Sequence, residues 1–142
     1  MSLPHPWRRL RELAHITLKW HDGGPRGRCR HSTQEISLRR DLNQAERRSA
    51  LAHELEHLVG GPAIVGFVDH DEALVTDRAA RYLIPFDALS RALVWANDDH
   101  ELAEALWVDV YTVRARLAGL TDLETAMLEV GMIAAERAFP EH

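Results

Sequence analysis

The chain has 142 residues and a mass of 16.1 kDa, with 46% apolar and 27% charged residues, which is the make-up of one globular domain and excludes a disordered chain. Its single cysteine, Cys29, excludes an internal disulfide scaffold and a zinc site built from cysteines alone. The net charge of −5 argues against strong nonspecific binding to nucleic acid, because contacts to phosphate carry most of that affinity.

The N-terminus carries Arg8, Arg9 and Arg11 but lacks the apolar core of a signal peptide. Residues 7–14 follow Pro4 and Pro6 with amphipathic spacing and read as a short helix. Ile16, Leu18 and Trp20 alternate with Thr17 and Lys19, which is a strand signal. Residues 22–27 hold three glycines and Pro25 and read as a turn. Alternation returns at residues 34–38, with Ile36 and Leu38 on one face. Together these segments predict a small antiparallel sheet.

From Asn43 the period becomes helical. Asn43 and Glu46 have capping-box spacing, and Gly60-Gly61-Pro62 stops the helix near Val59. The longest charge-free apolar stretch, residues 58–68, is too short to span a bilayer and is broken by glycines and a proline. No membrane span is expected, and the expected compartment is the cytoplasm. A loop of about nine residues leads to a second helix over residues 71–83, ended by Pro85. Residues 85–97 read as one or two short helices. Residues 100–106 and 110–118 read as a helix pair. Thr121 and Glu124 form another capping box, opening a last helix that runs to Phe139. Its apolar residues Leu123, Met127, Val130, Ile133 and Ala134 are expected to pack in the core. The class is α+β: a small sheet, then mainly helices. The expected division is residues 1–97 as a core and residues 98–142 as a helical part packed on it.

Charge is uneven along the chain. Residues 1–48 carry 11 Lys/Arg against 5 Asp/Glu, and residues 49–142 carry 6 against 17. The basic front could meet an acidic partner.

The chemistry-bearing motif is His53-Glu54-Leu55-Glu56-His57. At about 100° per residue, the two histidines lie about 40° apart on a helix, so both imidazoles reach one metal ion. Glu54 lies close enough to hold a water at that ion. Leu51, Leu55 and Leu58 fall on the opposite face and anchor the helix. In a chain of this composition, His-Glu-x-x-His arises by chance roughly 0.05 times, so a pair of idle surface histidines is the poorer account. Zinc needs a third protein ligand and an open position. Asp69, His70, Asp71 and Glu72 follow the loop. Glu72 is placed best, and small Ala79 lets its helix approach the motif helix, with Thr76 one turn on as a second support. A helix N-terminus is an equally good electrostatic reason for a carboxylate there. His70 is the alternative ligand. In such a site zinc activates water and polarises a carbonyl, while Glu54 acts as general base. Tyr82 and His31 have the right chemistry to support an oxyanion, but nothing in the sequence places either one.

Residues 46–58, with His53-Glu54-Leu55-Glu56-His57 at their centre, resemble the motif helix of ImmA/IrrE-type metallopeptidases. The strand-like residues 34–38 and the run from Glu72 to Pro85 are similar to two further blocks of that family, in the same order. The resemblance covers residues 14–120. It implies a zincin-like peptidase core with a helix-turn-helix-like C-terminal part, Zn²⁺ held by His53, His57 and Glu72, and Glu54 as the base. It also implies an intracellular endopeptidase that cleaves a helix-turn-helix repressor and so releases phage, mobile-element or stress genes. Thr76 stands where family members commonly carry Asn or Asp, and Arg78 where an aromatic is common.

Two other functions fit the residues. The helix pair could read an operator, with Tyr111, Thr112, Arg114 and Arg116 turned outward and Leu102, Ala103, Leu106, Val108, Val113 and Leu117 inward. Asp98, Asp99, Glu101 and Glu104 beside it would repel phosphate, so DNA binding is disfavoured. The chain could also sequester a repressor uncut, with a metal site that is not catalytic.

Overall fold

The computed structural model describes residues 3–138. Its elements in chain order are α1 (Pro6–Glu12), β1 (Thr17–His21), β2 (Gly27–Arg30), β3 (Glu35–Arg39), α2 (Gln44–Gly60), α3 (Val68–Leu83), α4 (Phe86–Trp95), α5 (Asp99–Leu106), α6 (Val110–Ala118) and α7 (Asp122–Ala138). The fold is α+β, with seven helices and a three-stranded sheet among the described residues. No helix among them is long and apolar enough to cross a membrane. Phe139, the expected end of the last helix, lies outside the described residues.

The sheet is mixed rather than antiparallel. Its order is β1-β3-β2, with β1 parallel to β3 and β2 antiparallel to β3. The reason lies in β3. Its Ile36 and Leu38 are fully buried, whereas β1 and β2 bury no residue completely. The most apolar strand takes the centre, which separates β1 from β2 and leaves β2 at an edge. Pairing of Cys29 with Ile36 and of Gly27 with Leu38 sets which side of β2 faces the helices.

The capping box at Asn43 is formed in both directions. The Glu46 amide donates to Asn43 Oδ1 at 2.8 Å, and the Asn43 amide donates to Glu46 Oε1 at 3.0 Å. Leu51, Leu55 and Leu58 of α2 are buried with Ile36 and Leu38 under the sheet. The other face of α2 places Ala52 in a second cluster with Ala79 and Leu83 of α3, Leu102 and Leu106 of α5, and Val113 of α6. One core therefore joins the motif helix to the helix pair.

α3 starts at Val68, one turn before the expected residue 71, because nothing after Gly66 breaks a helix and Asp69 and Asp71 suit its positive end. Glu72 consequently sits in its second turn. Arg116 is not outward: it is 2% exposed. It lies three residues after buried Val113 and so shares that inner face. Burial of the cation is balanced by Glu124, whose Oε2 accepts from Arg116 Nη2 at 2.7 Å, and by the Ile84 carbonyl at 2.9 Å. Glu124 also closes the Thr121 capping box.

The last helix departs most from expectation. No residue of α7 is buried, and Leu123, Met127, Val130 and Ile133 are exposed. The helix packs against α4 along one side only, so its apolar positions do not enter the core.

The Arg116 guanidinium holds the Glu124 carboxyl at about 2, well below its ordinary 4.5. The ionised pair stabilises the fold above the ordinary value and stops doing so as pH falls through about 2. Glu124→Gln should cost about 1–3 kcal/mol at pH 7, with the gap to wild type closing between pH 4.5 and 2. Urea unfolding followed by circular dichroism across that range checks it; a constant gap would contradict the assignment.

Candidate metal centre

The site begins with the two-sided character of α2. Its leucine face is fixed beneath the sheet, so the opposite face, carrying His53 and His57, has a fixed direction. The two rings, one turn apart, stand edge to face with centroids 4.9 Å apart. Across from them, α3 presents Glu72. One carboxylate oxygen lies 2.8 Å from His53 Nε2 and the other 2.8 Å from His57 Nε2. Ala52 and Ala79, both buried where α2 meets α3, allow the helices this approach.

His53, His57 and Glu72 thus form a group that could hold a metal ion, with one ligand atom from each lying within 4.8 Å of the others. Two imidazole nitrogens and one carboxylate oxygen are a donor set that suits a borderline divalent cation, with room for a further ligand. The histidines are half-buried and the Glu72 side chain is 53% exposed, so the group opens to solvent. His70 and Asp69 are exposed and lie outside the group. Asp71 sits 3.5 Å from His57 Nδ1, where it orients the ring whose Nε2 faces the group. The sequence put Asp71 among the candidate ligands and did not mark this position beside His57.

Glu54 is 8% exposed and lies against the edge strand β2. Gly27 makes that possible: a Cβ there would stand 2.8 Å from Glu54 Cγ. Two residues along the same face, the Cys29 thiol donates a hydrogen bond to the Glu54 carboxylate. Burial pushes the Glu54 carboxyl above its ordinary range, against the pull of the His53 and His57 imidazoles. The same burial, with the Glu54 charge beside it, pushes the Cys29 thiol up to about 12. Neither Gly27 nor Cys29 was singled out by sequence. Gly27 was read as the end of the turn over residues 22–27, and the strand Gly27–Arg30 that sets both residues against α2 was not anticipated.

Thr76 does not take the expected supporting role; it lines a cavity beside His53 and Glu54. Tyr82 packs under the Arg9 guanidinium, 5.1 Å from its ring centre, and faces a different hollow. His31 Nε2 donates to the His57 carbonyl at 3.0 Å, tying the β2–β3 turn to α2. In the helix pair Arg116 is consumed by Glu124 and Arg114 meets Asp99 at 3.3 Å.

Comparison with protein-family models, with curated proteins and with solved structures gives no match to this chain.

Two outcomes test the centre. Titration with Zn²⁺ against a chromophoric chelator should show one site per chain, lost in His57→Ala and weakened about 10–100-fold in Asp71→Asn; unchanged affinity in His57→Ala would dissolve the group. Separately, alkylation of native Cys29 by iodoacetamide should stay slow at pH 9 and become fast in denaturant, since the folded thiol ionises only near 12. Glu54→Gln removes a neighbouring negative charge and should raise the native rate, read by mass spectrometry.

Proposed function

We propose that this chain is a zinc-dependent endopeptidase of narrow specificity with a zincin-like core of the ImmA/IrrE type, acting on a helix-turn-helix repressor. The observation that carries this proposal is the meeting of His53, His57 and Glu72 beside a buried carboxylate, Glu54, on one accessible face. The donor set of two imidazoles and one carboxylate fits zinc.

His53, His57 and Glu72 would hold the ion, with Asp71 steadying His57. When bound, zinc supplies Lewis acidity toward water and the scissile carbonyl. Glu54 takes a proton from the attacking water as its oxygen bonds to the carbonyl carbon. The same carboxyl then gives that proton to the departing amine as the C–N bond breaks. A carboxyl pushed above its ordinary range by burial is better matched to both transfers than a solvated one. Gly27 and Cys29 restrict where that carboxyl can sit: the first by leaving space, the second by donating to it.

The repressor substrate, with release of phage, mobile-element or stress genes, is supported by the resemblance in residues 34–38, 46–58 and 72–85. The structure favours a protein partner over an operator insofar as α6 spends Arg114 and Arg116 on internal pairs.

Glu54→Gln should keep zinc at wild-type stoichiometry while cleavage falls about 10²–10⁴-fold or more. The measurement is incubation of zinc-loaded protein with any helix-turn-helix repressor encoded beside it, with fragments sized by mass spectrometry. A fully active Glu54→Gln variant would remove Glu54 from the mechanism. An intact repressor held in a stable complex would replace cleavage by sequestration.

A further inference from the structure

Between α2, α3 and α6 lies a cavity of about 300 Å³ that reaches His53 and Glu54. Part of its wall is made of short side chains: Ala50 from α2, Thr76 and Ala79 from α3, and Thr112 and Ala115 from α6. The cavity opens to solvent and brings the buried Glu54 carboxylate to its wall. Its volume stands at the small end of the range of ligand pockets. A second, shallower hollow shares Thr76 and Ala115 with it and reaches Glu72. The two make one groove along the line where α3 meets α6, with the metal group's carboxylate on it.

The position of α6 is fixed independently. Asp109 caps it by accepting from the Thr112 amide at 2.8 Å. The other Asp109 oxygen accepts from Arg26 at 2.7 Å, and Arg26 also reaches Glu46 at 3.1 Å and lies over the Tyr111 ring. The α6 wall is therefore tied both to the turn before β2 and to α2. Arg26 and Asp109 neutralise each other at the cavity. An acidic occupant would meet Glu54, and a basic one would pair with Glu54 and disable it.

We propose that α6 is the specificity wall of this site. The cavity takes one uncharged apolar side chain of medium size, such as Leu, Ile, Val or Met, from a polypeptide segment beside the bond presented to Glu54. Ala115 sets the largest side chain admitted. This assignment rests on the peptidase function proposed above, and it gives the helix pair a role in choosing substrate rather than in reading DNA.

The test has two arms, both on the full chain. In the first, N-acetyl-leucine amide, N-acetyl-alanine amide and N-acetyl-aspartate amide are titrated into metal-free ¹⁵N-labelled protein. The leucine derivative should give saturable shifts at the Ala79, Thr112 and Ala115 amides, at least 10-fold tighter than the other two. Ala115→Phe should abolish this binding with its remaining spectrum and zinc stoichiometry intact. Thr112→Leu narrows the same space from another position and serves if Ala115→Phe does not fold. In the second arm, a proteome-derived peptide mixture is digested with zinc-loaded protein. Cleavage should show one apolar position next to the scissile bond, shifting to Gly or Ala in Ala115→Phe. Absence of saturable leucine binding, equal binding in Ala115→Phe, or cleavage with no flanking preference would overturn the proposal. Leucine binding that Ala115→Phe removes, without cleavage of any peptide or of the repressor encoded beside the protein, would keep the pocket and its selectivity but overturn the peptidase function.

Discussion

The distance between α2 and α3 is the constraint on which the site depends. A carboxylate that touches two imidazoles at 2.8 Å tolerates little movement of either helix. That distance is held by small residues rather than by the polar contacts themselves. Ala52 and Ala79 let the helices close, and Leu83, Leu102, Leu106 and Val113 fill the space behind them. A larger residue at either alanine would separate the helices and pull Glu72 away from the histidines, without altering a single ligand. Core packing and the donor group are in this sense one structural fact. Burial supplies the free energy, and the exposed face of α2 is free to carry chemistry because its other face is committed.

Glu54 depends on a different contact. It points from the same helix, yet its environment is made by β2. An edge strand beside a functional helix would ordinarily present side chains to it. Here the strand offers a glycine and a cysteine on the facing side, so Glu54 can lie against backbone and accept from a thiol. β2 can meet α2 in this way as an edge strand beside the central, buried β3. The mixed sheet is thus the consequence of one apolar strand, and it has an effect on the site.

The parts that were legible in the sequence are those encoded locally. The helix around His53 and His57 is bounded by a capping box and a glycine pair, and its leucine stripe has helical period; each of these is a short-range signal. Glu72 was legible with help from the spacing to Ala79. What was not legible depends on which surfaces meet. Gly27 and Cys29 acquire meaning only once β2 packs on α2. Arg116 looked like an outward arginine because arginine is seldom buried, and its partner Glu124 was visible only as half of a capping box. α7 has an apolar stripe suited to a core, yet no surface among the described residues covers Leu123, Met127, Val130 and Ile133. Periodicity shows that a face is apolar; it does not show what that face meets.

The uneven charge illustrates the same point. A front segment rich in arginine and a remainder rich in carboxylates suggest a basic surface awaiting an acidic partner. In the folded chain much of that attraction is internal. Arg9 meets Glu56 at 2.6 Å, and Arg26 reaches across 83 residues to Asp109. Arg48 is buried and donates to the carbonyls of Pro4 and Trp107, binding the start of the chain and the turn between α5 and α6 to the middle of α2. Such ties are worth more than surface ion pairs, because partial burial raises both their strength and the cost of losing one partner. Arg9 and Arg26 of the basic segment thus find acidic partners in the rest of the same chain, while Lys19, Arg39 and Arg40 pair within the segment itself. The field at the cavity beside α2 is accordingly set by the few groups that face it, Glu54 foremost, rather than by the net charge of either half.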